Sequence, residues 1–251
     1  MLNHIPSKIV TRIIFGYRAD SKEYIAHLKQ VGARIGENVV IFNSRDTLID
    51  ERAPYMITIG NNVQITRGVV ILAHDYGWST LKAVYGDVLG SIRETVIGDN
   101  TYIGMNTLIL AGAHIGKNVV IGANSVVSGT IPDNCVAVGS PCRPIYSLEA
   151  YHEKRRKAQL DEAVSIVQNY MRSFGKPPER ELLNEHFWLF EHDEQNLPQR
   201  FKDQMNLMPG SEELTWNNFR NHKAMFDSYE AFLKYALDRI SRESDGKSDL
   251  P

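Results

Sequence analysis

The chain has 251 residues, 43% of them hydrophobic, and a formal net charge of -2. That length supports one sizeable core or one solenoid with appendages, and the near-neutral balance excludes the global basic field that would argue for a nucleic-acid partner. Two cysteines, Cys135 and Cys142, cannot build a disulfide framework and fit a reducing compartment.

The opening MLNHIPSKIV lacks the long apolar stretch of a signal peptide. No apolar run approaches the ~20 residues that a membrane helix needs. The expectation is a cytoplasmic protein with no transmembrane segment, with peripheral membrane contact left open. Residues 1–34 precede any repeat. Ser21 to Gln30 reads as a short helix with apolar Tyr24, Ile25 and Leu28, ended by Gly32. As an N-terminal helical cap it would plug the open end of a solenoid, because a terminal coil needs cover.

From residue 35 to residue 146 a six-residue period governs the chain. Blocks start at Ile35-Gly36-Glu37-Asn38-Val39, then Ile41, then Thr47, and again at Ile59-Gly60, Ile65 and Ile71. They continue through Ile97-Gly98, Ile103-Gly104, Ile109, Ile115-Gly116, Ile121-Gly122 and Val127. The fifth place is small or β-branched, as at Val63, Val69, Thr101, Thr107, Ala113, Val119 and Ser125. A helix needs period 3.6 and an ordinary strand period 2. Period six instead describes three short strands per coil, with each leading aliphatic pointing inward and stacking on its counterpart one coil away. The glycine that follows sits where the chain turns and needs either φ > 0 or close backbone approach.

The period breaks once, between Gly77 and Glu94, in a loop insertion that carries Trp78, Tyr85, Gly86 and Gly90. Rigid scaffolds hold binding loops, and this one begins directly after His74. Residues 147–251 change character. Leu160, Val164, Val167, Met171 and Phe174 have helical spacing up to Gly175 and Pro177-Pro178. Further helical pieces are expected at Glu179–Phe190 and Asp227–Ile240, the latter opened by an Asp227-x-x-Glu230 cap. Phe187, Trp188, Phe190, Trp216, Phe219, Tyr229 and Phe232 form a small aromatic core that packs the helices together. The run Lys154-Arg155-Arg156-Lys157 reads as a solvated helix face, and the tail after Ser241 as disordered.

Residues 35–146 resemble the hexapeptide-repeat acyltransferases, in particular the galactoside, maltose and xenobiotic acetyltransferase branch. The marks are Ala73-His74 before the break, Ile97-Gly98-Asp99-Asn100-Thr101-Tyr102-Ile103-Gly104 after it, Ile131-Pro132-Asp133-Asn134, and the ending Val138-Gly139-Ser140-Pro141-Cys142-Arg143. The resemblance implies a mainly β fold, a left-handed parallel β-helix, assembled as a homotrimer; the N-terminal helix and the C-terminal α-helical extension come from the spacing of this chain's own residues, and the extension is unlike the short ending of the simple sugar enzymes. It also implies acetyl transfer from acetyl-CoA to a small-molecule or glycan acceptor.

Such transfer needs a base for the acceptor's proton, donors for the oxyanion and alignment of two substrates. Histidine is the natural base near neutral pH. Only His74 and His114 lie in the repeat, and the resemblance places the catalytic histidine at His74. If Thr47 stacks under Ile71, Asp50 lies beside His74, so Asp50 or Glu51 would orient the ring or hold an acceptor hydroxyl. Asn43 matches an acceptor-site asparagine of the family, although Ala53–Thr58 adds length between coils. For coenzyme A the resemblance points to Tyr102, where relatives carry an aromatic, and to Met105, where a backbone N–H serves the thioester. It adds Ala123, Ser128 and Gly129 along the pantetheine groove and Arg143 at the nucleotide phosphates. Gly129 departs from the family's common lysine. No metal site is expected: a γ-carbonic-anhydrase-like hydratase needs three facing histidines, and the repeat offers two. A non-catalytic scaffold is the other alternative.

Overall fold

The structure, a computed structural model, describes residues 7–244 and divides into two compact units, Met1–Tyr151 and His152–Pro251. In the first unit the chain visits three parallel sheets in rotation. The first sheet holds Arg34–Ile35, Ile57–Ile59, Thr95–Ile97, His114–Ile115 and Thr130–Ile131. The second holds Val40–Ile41, Gln64–Ile65, Tyr102–Ile103, Val119–Ile121 and Cys135–Val138, and is closed by the antiparallel Arg143–Ser147. The third holds Leu48–Ile49, Val70–Ile71, Leu108–Ile109 and Val126–Val127. Each circuit of three strands is one rung. The leading aliphatics face inward as the period requires, with Ile59, Ile65, Ile71, Ile97, Ile103, Ile109, Ile115 and Ile121 all buried in one core. Each such side chain contributes about 1.5–3 kcal/mol by leaving water.

The two sequence options for the turn glycines separate cleanly. The glycines after the inward isoleucines serve close approach. A Cβ on Gly98 would lie 2.6 Å from the Gly116 carbonyl carbon, and one on Gly104 2.5 Å from the Ala123 amide nitrogen. Left-handed backbone falls instead on the asparagine two places later, at Asn38, Asn62, Asn100, Asn106, Asn118 and Asn124, and on Asn134, which follows Pro132 in the same way. Asparagine tolerates that region better than other side chains with a Cβ. Its amide also links rungs: Asn38 donates to Asn62 at 3.1 Å, Asn62 to Asn100 at 3.0 Å, Asn100 to Asn118 at 3.0 Å and Asn118 to Asn134 at 2.8 Å.

Two helices precede the rungs, α1 (Ser7–Phe15) and α2 (Ser21–Gln30). The second is the expected one. Asp20 caps it by accepting from the Lys22 and Glu23 amides. Tyr24 and Leu28 are buried in the same core as Ile35, Ile41 and Ile49, so α2 covers the inward face of the first rung. The segment expected as a loop after Gly77 contains a helix, α3 (Trp78–Tyr85), ended by Gly86 with φ 85°. Eight residues without proline or glycine suffice for two turns once a strand pair anchors the base.

The second unit is helical. Its first helix, α4 (Leu148–Phe174), starts before Leu160, and Gly175 ends it at φ 69°. The Glu179–Phe190 stretch is not an α-helix but two 3-10 turns, Arg180–Leu183 and Phe187–Leu189. Two helices lacked a distinct sequence signal, α5 (Gln199–Met205) and α6 (Glu212–Asn221). The last, α7 (Tyr229–Ser244), is capped by Ser228, whose hydroxyl accepts from the Ala231 amide at 3.2 Å. The capping residue is therefore Ser228 and not Asp227, since Ser228 directly precedes the first helical residue, Tyr229, and its side chain serves an N–H of the first turn. Residues of the expected disordered tail up to Ser244 belong to α7, and those beyond lie outside the described residues. The aromatic residues do form a core, with Phe187, Phe190, Phe219 and Phe232 buried.

The glycine contacts yield a direct test. Gly104→Ala forces a Cβ into backbone and is expected to cost about 1–3 kcal/mol. Gly129→Ala meets nothing within 4 Å and has no positive φ to strain, so its melting temperature should stay near the parent's. Equal melting temperatures for the two variants would show that the close approach does not constrain the stack.

Candidate active site

His74 is positioned from two sides. The third-sheet strand Val70–Ile71 leads into it, and His74–Asp75 then pairs antiparallel with Ser91–Ile92, His74 opposite Ile92. The Arg93 amide donates to the Ala73 carbonyl at 2.9 Å. Asp75 accepts from the Gly77 amide at 3.0 Å and pairs with Arg93 at 3.4 Å. The Ser91 and Gly77 hydrogen bonds hold the Asp75 carboxyl below its ordinary range. The excursion that carries α3 is thus clamped at its root, next to the histidine.

Asp50 meets His74, by a different register from the expected one. Ile49, not Thr47, stands opposite Ile71. The turn at residues 42–47 is two residues longer than the period allows, which moves the next strand along by two. Asp50 reaches the histidine across the rung: its Oδ2 accepts from the Ala73 amide at 2.9 Å, from the His74 amide at 3.1 Å and from His74 Nδ1. Its Oδ1 accepts from the Arg52 amide at 2.9 Å. The side chain of Asp50 is 3% exposed and that of His74 26%. Burial works against the charge, but the His74 ring and the Ala73 and Arg52 amides outweigh it and hold the Asp50 carboxyl below its usual range. An ionised carboxylate only accepts. Nδ1 therefore carries the proton, and Nε2 keeps its lone pair with no protein partner among the described residues. This is the arrangement of a general base oriented by a carboxylate.

The other expected acceptor-side residues are placed differently. Glu51 is engaged by His27 Nε2 at 2.9 Å and by the Tyr17 hydroxyl at 3.1 Å, and the Tyr17 and His27 rings stack at 3.7 Å. Burial, then the Glu51 carboxylate, pushes the Tyr17 phenol above its ordinary value. Asn43 is held in its own turn, donating to Asp46 at 3.1 Å and accepting from the Arg45 amide at 3.2 Å. Behind Asp50, the buried Tyr24 hydroxyl accepts from the Ile49 amide at 3.1 Å, and Arg18 donates to the Thr47 carbonyl at 2.6 Å. Tyr17, Arg18 and His27 carry no repeat or motif, and only their place before the first rung could have drawn attention to them.

The residues expected at coenzyme A occupy two different sets of turns. Ser128 and Gly129 follow a third-sheet strand, as Asp50 and His74 do. Met105 and Ala123 follow second-sheet strands, with the Asn124 amide donating to the Met105 carbonyl at 2.8 Å. Tyr102 stands in the second sheet between Gln64 and Val120. Arg143 is exposed, and its Nη1 donates to the Cys142 carbonyl at 2.8 Å. Ala123 and Ser128 are exposed, and the space over Gly129 is open. Cys135 and Cys142 are buried, and burial raises both thiols above their ordinary range. Among the described residues no three His, Cys, Asp or Glu side chains are grouped to hold a metal.

Parallel sheets built from a six-residue repeat, with a carboxylate-oriented histidine at the break, define a hexapeptide-repeat transferase. A family described as "Bacterial transferase hexapeptide (six repeats)" matches residues 94–129. Protein CapG of Staphylococcus aureus is 40% identical over 127 residues, which are 51% of this chain and 73% of that protein. The galactoside O-acetyltransferase of Escherichia coli (strain K12) is 37% identical over 44% of this chain and 52% of its own length. A maltose O-acetyltransferase structure from Clostridium difficile 630 is similar at 29% identity and a TM-score of 0.39, covering 56% of this chain and 83% of that one. The chain belongs to the hexapeptide-repeat acyltransferases. It spans about half the length of several of the curated relatives it matches.

The Asp50 carboxyl lies lower in the folded chain than in the unfolded one. Its stabilising contribution is full above the ordinary carboxylate pKa of about 4 and is lost as pH falls through the folded value. Asp50→Asn should therefore be less stable than the parent by a constant margin near neutrality, and that margin should shrink below about pH 4. Urea unfolding from pH 7 down to about pH 3 measures it. A margin independent of pH would show that Asp50 is not held as an anion.

Proposed function

We propose that the chain is an acetyl-CoA-dependent O-acetyltransferase that acylates a hydroxyl of a sugar or polysaccharide-type acceptor in the cytoplasm, with His74 as the general base. The observation that carries this reading is the Asp50–His74 pair, which fixes the Nδ1–H tautomer and leaves Nε2 ready to take a proton. Acetyl-CoA is the acyl donor of the family's acetyltransferases. As the acceptor oxygen bonds to the thioester carbonyl carbon, Nε2 takes the hydroxyl proton. Asp50 stabilises the imidazolium that forms, and the proton passes to the departing thiolate as the carbon–sulfur bond breaks. The acceptor becomes an ester, with no covalent enzyme intermediate.

The proposed donor contacts agree with the exposed, open turns. Met105 has an exposed side chain and an N–H with no protein partner among the described residues, which suits it to donate to the thioester oxygen. Ala123, Ser128 and Gly129 leave room along the turns for a pantetheine arm, and Arg143 supplies a charge for phosphate. The sugar acceptor is supported by the galactoside enzyme's name. Rotation through three parallel sheets supports a parallel β-helix, and its left hand is what the family resemblance implies. The separation of Met105 and Ala123 from the His74 turns supports a homotrimer in which neighbouring chains each supply part of one cleft.

Two measurements test the reading. His74→Ala should keep the far-UV circular dichroism and lower acetyl transfer to a responsive sugar by about 10²–10⁴ in kcat; a change of only a few fold would remove His74 from the chemistry. Coenzyme A should raise the melting temperature by mass action. Arg143→Ala should reduce that shift for coenzyme A far more than for pantetheine, which has no nucleotide phosphates. Equal loss for both would mean that Arg143 makes no phosphate contact.

A further inference from the structure

The helical unit contains a cleft of about 710 Å³, within the size range that holds small ligands. Its wall is assembled from three places. Arg156 and Gln159 lie one turn apart on α4, Trp188 comes from the Phe187–Leu189 turn, and Asn218 with His222 and Lys223 comes from the end of α6. All of these residues belong to the same compact unit.

The chemistry of this wall is selective. Trp188 packs edge-on against Phe219 at 5.4 Å and stays half-exposed, which gives the cleft a rigid aromatic side. Among the described residues its indole N–H, the Gln159 and Asn218 amides and the Lys223 ammonium have no protein hydrogen-bond partner. His222 Nδ1 donates to the Phe219 carbonyl, so Nε2 is an acceptor, and that nitrogen is buried without a partner. That nitrogen has no surface for a ligand to reach, so the acceptors that line the cleft are the Gln159 and Asn218 amide oxygens. Donors and acceptors are thus mixed on one wall, as hydroxyl groups require, because each hydroxyl both gives and accepts. An aromatic face beside such groups suits the C–H face of a sugar ring.

The charge completes the description. Arg156 and Lys223 line the cleft and no carboxylate does, although Glu153 takes one Arg156 N–H at 3.2 Å. We propose that this cleft is a second ligand site, separate from His74, that binds an acidic saccharide through Trp188, Asn218, Arg156 and Lys223. The proposal does not rest on the transferase reading.

Isothermal titration of the full chain with digalacturonate, maltose and ADP tests it. Digalacturonate should bind, and the double variant Arg156→Ala/Lys223→Ala should weaken it about tenfold while leaving any maltose affinity within about twofold. Asn218→Trp should block both sugars, and His74→Ala should leave digalacturonate binding in the cleft intact. Circular dichroism checks that each variant is folded, and the two charge removals lie on exposed positions. The proposal fails if digalacturonate does not bind the parent at about 10 mM or binds the double variant as well as the parent. It also fails if ADP binds more tightly than digalacturonate and is displaced by the same substitutions, which would assign the cleft to nucleotides.

Discussion

Backbone-to-backbone contact between successive rungs governs this molecule. Where Gly98 meets Gly116 and Gly104 meets Ala123, no room remains for a side chain. Adjacent strands must sit about 4.8 Å apart in hydrogen-bonding register. Any extra residue must then leave the stack at a turn. The chain does this at residues 42–47, at the 3-10 turn Pro54–Met56 and in the α3 excursion. The first and last of these make the site. The longer turn at 42–47 advances the strand that carries Asp50, and the excursion gives His74 its antiparallel partner.

Electrostatics then concentrate where the stack is irregular. A buried carboxylate is tolerable only when its lone pairs are filled. Asp50 meets that requirement with three backbone amides and one imidazole, and the same bonds that keep it charged also orient the His74 ring. Glu51, one residue on, faces the other way chemically, held by Tyr17 and His27 from the segment before the first rung. The N-terminal segment therefore does more than cover core. Through Tyr24 and Arg18 it fixes the strand next to Asp50, and through Tyr17 and His27 it holds the Glu51 side chain beside it.

The helical unit follows a different rule. Its core mixes phenylalanines with aliphatic residues and is non-periodic, with Phe187 stacked on Phe201 at 4.5 Å and Phe190 on Phe232 at 5.4 Å. Aromatic burial holds short helices together without demanding a repeat. That leaves polar groups at helix ends and turn edges to converge on the Trp188 cleft. The expectation that the aromatics pack against one another holds for the phenylalanines. Trp188 packs and also lines open space.

The amino-acid sequence determined whatever depends on local spacing. Period six placed the inward aliphatics, the glycine contacts and the break beside His74, because each rung repeats the same few backbone contacts. The cap helix Ser21–Gln30 and the end of α4 at Gly175 were legible for the same reason, since capping and helix termination involve neighbours in the chain. Tertiary structure decided what depends on which rungs stack. The pairing of Ile49 with Ile71, the reach of Asp50 across the rung, the Tyr17–His27 hold on Glu51 and the split of Met105 and Ala123 from the His74 turns are non-local. The length of an inserted turn does not state how far it shifts the next strand. Only closure of the backbone ladder fixes that shift, and with it the side chains that face one another.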